Sequence, residues 1–295
     1  MIIPAQSLLA TLTFVSLALA HGWIGKVTIG SKSYLGNPPA LYSTNPPPSV
    51  IRQIADVPPV KDVCSADLTC GTQATPAALQ APAAPGDPIS VEWHTLAGAG
   101  YWFHDVGPLM VYLASCAGVA SCAELDSSET TAAEWFKIDE QGRDGNGIWA
   151  QDKLDAGAPA SFVLPQTLKS GHYLLRHEII ALHTAQYVGG AEFYVGCVQL
   201  NVTGHEEGAP NAKAGELVRI PGAYTPTDSG ILIDVYDLLP SDAYPFPGPP
   251  VAALVSHAES GGASTSTQGK IRTTLPGVQT TEKPTAAKTT TSVKG

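Results

Sequence analysis

Helix-period stretches are scarce in this chain of 295 residues, and so is positive charge. Gly (29) and Pro (25) are abundant instead, a combination that predicts an all-β sandwich with long loops. Sixteen Lys and Arg face 26 Asp and Glu, for a net charge of −10. Such a surface repels polyanions, so neither nucleic acid nor an anionic membrane is an expected partner, whereas a neutral polymer would tolerate it. No internal repeat is visible. The apolar run Leu8 to Leu19 is too short to span a membrane. It ends in Ala18-Leu19-Ala20, an A-x-A cleavage pattern, and so predicts a secretory signal over residues 1–20, although no Lys or Arg precedes it. Cleavage after Ala20 makes His21 the first mature residue and the protein extracellular.

The familiar hydrolase signatures are missing too. No G-x-S-x-G elbow occurs. His177-Glu178 followed by His183 is spaced HE-x4-H rather than HExxH, in a strand-like stretch, which excludes a helical zinc-protease motif. A two-carboxylate glycosidase has no fixed spacing and stays open on motif grounds. Residues 255–295 have no aromatic, no cysteine and no closing hydrophobic stretch. This Ser/Thr-rich tail is expected to be disordered, without a carbohydrate-binding module or lipid anchor. The folded domain is then 21–254, long enough for one sizeable core.

Five cysteines are present, which in a secreted chain predicts two disulfides and a spare thiol. Cys116 and Cys122 can close a short loop; Cys197 can pair with Cys70 or Cys64. Asn201-Val202-Thr203 is a glycosylation sequon. Strands are expected at Val27–Ile29, Ile89–Trp93, Leu109–Ala114, Trp135–Ile138 and Ile231–Tyr236, and Gln199–Thr203 ends the sheet region around the richest stretch. The richest stretch is Gly171 to Cys197. Leu174, Arg176, Glu178, Ile180 and Leu182 share one parity, and Leu175, His177, Ile179, Ala181 and His183 the other. Gly189-Gly190 breaks the run before a second strand, which puts Glu192 and Tyr194 on one face.

A terminal histidine carries an α-amine and an imidazole on one residue, so His21 can chelate a metal alone. One further imidazole completes three nitrogens, a donor set that suits Cu(II). His104, at a strand mouth before Gly107-Pro108, is the first candidate for it, and His177 the next.

These pieces, in order, resemble a fungal lytic polysaccharide monooxygenase of auxiliary activity family 9. The resemblance is carried by His21 after the signal, HDVGPLMVYLASC (104–116), WFKIDEQG (135–142), LPQTLKSGHYLLRHEIIALHTA (164–185), GAEFYVGCVQLNVTG (190–204) and YPFPGPP (244–250). It implies an immunoglobulin-like or fibronectin-like antiparallel β-sandwich with a flat copper-bearing face. By motif it makes His21 and His104 the copper ligands, with Tyr194 near the axial position and His183 beside the site. It implies catalytic roles for His183, Glu192 and Tyr194, and it pairs Cys197 with Cys70, leaving Cys64 over. Tyr244 aligns with a face aromatic that stacks on sugar. Glu192 departs from the family's usual glutamine: an ionised carboxylate only accepts hydrogen bonds, whereas an amide also donates. The implied activity is oxidative cleavage of β-1,4-glucan, cellulose first, at C1 and/or C4. It would use one copper ion, dioxygen or hydrogen peroxide, and an external electron donor, and the protein would act as a monomer. Glu192 keeps one alternative in view, a non-catalytic copper- or polysaccharide-binding protein on the same fold.

Overall fold

The structure, a computed structural model, describes residues 21–96, 102–204, 212–213 and 215–254. The expected signal (1–20) and tail (255–295) lie outside the described residues. Among the described residues no helix is long and apolar enough to cross a membrane.

Among the described residues nine strands build two sheets. The first holds β1 (Gly22–Ile29), β2 (Lys32–Leu35), β4 (Pro88–Thr95) and β7 (Ala160–Val163) in the order β2-β1-β4-β7. The second holds β3 (Ala81–Ala83), β5 (Leu109–Ser115), β6 (Trp135–Gln141), β8 (Gly171–Ala181) and β9 (Glu192–Val202) in the order β3-β9-β8-β5-β6. All pairings are antiparallel except β3 with β9, which is parallel. Two short helices, α1 (Ser127–Ala132) and α2 (Ala150–Asp155), sit in the connections.

The two sheets bury their facing sides differently. In β4, Ile89, Val91, Trp93 and Thr95 point inward while the intervening residues are half exposed, the alternation of a sheet wet on one side. β8 and β9 are buried on both faces over most of their length. The expected parity holds nonetheless. Leu175, Ile179 and Ala181 join the inter-sheet core with Val111, Leu113, Val198 and Leu200. Leu174, Ile180 and Leu182 join a second cluster on the outer face with Tyr112, Trp135 and Phe193. Each large apolar side chain taken from water stabilises by roughly 1.5–3 kcal/mol, so this second layer is a substantial part of the fold.

Long loops cover the outer layer. One is stitched to β9 by the bridges Ile51↔Val198 and Val60↔Phe193 and by the disulfide Cys70–Cys197. The other returns to β6 through Trp135↔Val218 and Lys137↔Val251. The second disulfide is Cys116–Cys122, and Cys64 is free and exposed. The expected strand at Ile231–Tyr236 is not formed: this stretch is a chain of turns. The Asp228 carbonyl accepts from the amides of Ile231 and Leu232, so the backbone curls back instead of extending along a neighbour.

Candidate metal centre

The site gathers at the end of the sandwich where β8 stops, β9 starts and the chain enters β1. Three segments deliver it. His21 precedes β1 directly. His104 lies in the approach to β5, where Gly107 has φ 136° and packs against the Ile180 carbonyl so closely that a Cβ would lie 1.9 Å from its oxygen. Only glycine fits such a backbone comfortably. His183 opens the β8–β9 connection, and Gly190 closes it against the Thr184 carbonyl, where a Cβ would again collide. Thr184 Oγ1 donates to the Gly190 carbonyl at 2.7 Å and fixes that turn. β9 then places Glu192 and Tyr194 two residues apart on one face, as the strand period requires.

The side chains converge. His104 Nε2 lies 3.2 Å from the Tyr194 hydroxyl. The Tyr194 hydroxyl donates to Glu192 Oε2 at 2.9 Å. That same oxygen is 3.7 Å from His104 Nε2 and 3.8 Å from His183 Nε2. The His104 and His183 rings stack with centroids 4.5 Å apart. The His21 ring lies over Tyr194 with centroids 6.1 Å apart. At 3.8 Å Glu192 and His183 make no hydrogen bond, and Tyr194 takes the oxygen instead.

Several supporting residues carried no sequence signal. Trp102, fully buried, packs edge-on against Tyr194 at 4.7 Å and against His104 at 5.5 Å. Its indole Nε1 donates to Gln151 Oε1, and Gln151 Nε2 donates to the Ile180 carbonyl, so α2 ties the His104 segment to the end of β8. Lys61 Nζ reaches Glu192 Oε1 at 3.0 Å from the loop covering β9. A capping or turn residue can be read from a short window. A cross-loop contact over more than a hundred positions cannot.

Electrostatics sort the groups by protonation. Burial, then the nearby His183 charge, pushes the His104 pKa down to about 4, so the ring is neutral and keeps a lone pair for a ligand. Burial pushes the Glu192 carboxyl up. The hydrogen bonds from Lys61 and Tyr194, with the charges of Lys61 and His183, outweigh that and leave it below the ordinary carboxylate value. Burial and the Glu192 charge raise Tyr194 far above the usual phenol range, so it stays protonated and remains the donor.

The donor set fits a metal. The ligand atoms of His104, His183 and Glu192 all lie within 4.8 Å of one another, and a cluster rich in imidazole nitrogen suits copper. His183 Nδ1 is buried without a hydrogen-bond partner. His177 belongs elsewhere: it is buried between the sheets, where its Nδ1 accepts from Trp93 Nε1 at 3.2 Å. Tyr244 also departs from expectation. It is 6% exposed, its hydroxyl donates to the Gly230 carbonyl, and Trp149 and Phe246 pack on its ring. A ring enclosed in this way has no face left for a sugar. The exposed aromatics near the site are Tyr187 (70%), in the turn after His183, and Tyr236 (67%), in the stretch that the Ile233 amide bonds to the Ala185 carbonyl.

Comparison with known proteins agrees with this geometry. Residues 21–244 match auxiliary activity family 9, formerly glycoside hydrolase family 61. The chain is 43% identical over 254 residues to the AA9 family lytic polysaccharide monooxygenase D of Gloeophyllum trabeum, covering 85% of this chain and 70% of that one. It is 37% identical over 239 residues to lytic polysaccharide monooxygenase B of Malbranchea cinnamomea, covering 79% and 91%. Among solved structures, the extended catalytic domain of H. jecorina LPMO9A superposes with a TM-score of 0.69 at 33% identity, covering 79% of this chain and 91% of that one. A protein described as a cellulose-active polysaccharide monooxygenase from M. thermophila gives 0.64 at 33% identity, covering 78% and 98%. With this sandwich and this histidine-rich end, the chain belongs to auxiliary activity family 9, the copper-dependent lytic polysaccharide monooxygenases.

Proposed function

We propose that the protein is a secreted, monomeric enzyme that cleaves β-1,4-glucan, in the first place cellulose, by oxidising C1 and/or C4 of a sugar at the chain's surface. The observation that carries this reading is the convergence of His104, His183, Glu192 and Tyr194 at one end of the sandwich, with exposed Tyr187 and Tyr236 on the adjoining turns. The cellulose-active description of one solved relative supports the substrate, and an acidic surface tolerates an uncharged polymer.

His21, through its amine and ring, and His104 would hold the copper, with Tyr194 beside it. Copper, when bound, supplies one-electron chemistry and activates the oxygen co-substrate. The chain's own residues set the surroundings. Trp102 and Gln151 lock the His104 segment so that its ring cannot swing away. Tyr194 keeps its proton and directs it to Glu192. Glu192 and His183 form the polar wall that an oxygen co-substrate would meet. The reaction balances in either form. Peroxide gives one hydroxylated carbon and one water. Dioxygen gives the same products with two electrons from an external donor and two protons. Hydroxylation of the carbon at a glycosidic bond then lets that bond break. Tyr236, in place of the buried Tyr244, would lie against the polymer, since an aromatic face suits the apolar side of a sugar ring. Asn201, partly exposed in β9, is the proposed glycan acceptor. A non-catalytic binding role is not favoured, because the curated relatives are named as monooxygenases.

The test is product analysis. Copper-loaded protein is incubated with cellulose and ascorbate, with and without peroxide, and soluble products are read by mass spectrometry. Oxidised oligosaccharides are expected, and Tyr236→Ala should reduce the fraction of protein retained on cellulose. Unoxidised sugars alone, or none, would overturn the reading.

A further inference from the structure

We propose that Lys61 is a positioning residue of the copper site: its ammonium holds one oxygen of Glu192, so that the other oxygen is presented to Tyr194, His104 and His183. The inference deepens the copper-site reading and rests on it only for its EPR arm.

The backbone places the pair. Val60 and Phe193 exchange both amide–carbonyl hydrogen bonds, each at 2.9 Å, as an isolated antiparallel bridge. In that register the residue after Val60 stands opposite the residue before Phe193, so Lys61 and Glu192 are cross-strand neighbours. Val60 and Phe193 are buried in the outer cluster, which sends Lys61 and Glu192 to the other side, toward the histidines. The ammonium then meets Glu192 Oε1 at 3.0 Å.

The two carboxylate oxygens are therefore divided. Oε1 takes the lysine. Oε2 takes the Tyr194 hydroxyl at 2.9 Å and faces both histidine Nε2 atoms at 3.7 and 3.8 Å. A carboxylate can turn about its last torsion, which is broad and two-fold. Glu192 is 9% exposed, so water gives it little support. With Oε1 released, the group can rotate or lean toward the histidines, and the Tyr194 proton loses a fixed acceptor. Among the described residues Lys61 is the lysine or arginine paired with Glu192, and Lys61 itself is half exposed at the rim of the site. A polymer resting there would strip water from the pair and strengthen it, since Coulomb attraction grows as the effective dielectric falls.

The experiment uses Lys61→Met, Lys61→Arg and Glu192→Gln, singly and with Lys61→Met and Glu192→Gln combined. Exposure of the lysine makes loss of folding a minor concern. In metal-free protein the carbon resonance of the Tyr194 phenol reports its hydrogen bond, and in copper-loaded protein the Cu(II) EPR spectrum reports the same surroundings. Lys61→Met is expected to displace the Tyr194 resonance and change the EPR spectrum. Lys61→Arg is expected to restore both. In the Glu192→Gln background Lys61→Met should add nothing, because a neutral amide needs no cation. A Tyr194 resonance unmoved by Lys61→Met would overturn the proposal, and so would an equal displacement with and without Glu192. A displaced resonance in a protein that shows no bound Cu(II) would uphold the role of the lysine and sink the copper reading alone.

Discussion

Two carboxylates on neighbouring strands have been given opposite fates. Glu178, in β8, is fully buried beneath the loops of the outer face. It accepts from Arg176 at 2.6 Å and from Tyr224 at 2.6 Å, and Tyr224 shares a hydrogen bond with Tyr112. Lys137, also buried, lies over the Tyr112 ring and donates to the Pro247 carbonyl. Both Glu178 oxygens are taken by buried partners, and Arg176 also donates to the Leu68 and Thr69 carbonyls, so the network pins both covering segments to the sheet. Glu192, at the start of β9, also has a cation and a tyrosine, and it faces two histidines besides. Its cation comes from a half-exposed lysine, and His183 keeps a ring nitrogen without a hydrogen-bond partner. What separates structure from chemistry here is closure rather than residue type. A fully buried carboxylate with both oxygens held by fixed partners can only hold things together.

The largest effect should come from breaking the closed network. Glu178→Ala leaves Arg176 buried without its counter-charge, at a cost of about 3–5 kcal/mol. Thermal unfolding should then fall by roughly 6–20 °C for a domain of this size. A loss below about 1 kcal/mol in a denaturant titration would show that the network is not closed.

At the open site the expected effect is on binding instead. His104→Ala should weaken Cu(II) by about 100-fold or more, measured by calorimetric titration, while the metal-free protein unfolds within a few degrees of the parent. One alanine added before His21 should do the same by blocking the amine. Copper affinity unchanged in both would remove the distinction drawn between the two regions.

An effect spread over a pH range sharpens the contrast within β8 itself. Burial, reinforced by Arg176, holds His177 at about 3, below its ordinary value of 6.5. The folded ring therefore stays neutral while the unfolded ring takes a proton. Its stabilisation is complete above about pH 6.5 and is lost as pH falls toward about 3, at up to about 1.4 kcal/mol per pH unit. His177→Gln, which can still accept from Trp93, should flatten the stability profile across that window. A slope identical to the parent's would place the proton uptake elsewhere.

Much of this was legible along the chain. The two-residue alternation of 171–202 gave both faces of β8 and the pairing of Glu192 with Tyr194, because strand geometry is local. His104 followed from its place before Gly107-Pro108 and from the family motif. Tyr244 was misplaced for a reason that is equally physical. A tyrosine among prolines reads as exposed, and only the packing of Trp149 and Phe246 around it shows otherwise. The turn at 231–236 misled in the same way: its β-branched and aromatic apolar residues read as a strand, but the Asp228 carbonyl captures the amides of Ile231 and Leu232.

By itself the sequence determined most of the long strands and the parity of the faces of β8 and β9. Each of these rests on residue type and on spacing within one element. Tertiary structure decided which carboxylate is sealed, that Cys197 meets Cys70 while Cys64 stays free, and that Lys61 stands opposite Glu192. Those outcomes depend on where long loops come to rest against a sheet. Loop closure costs little more for a hundred residues than for fifty, so the packing at the landing point, and not the spacing along the chain, selects the partner.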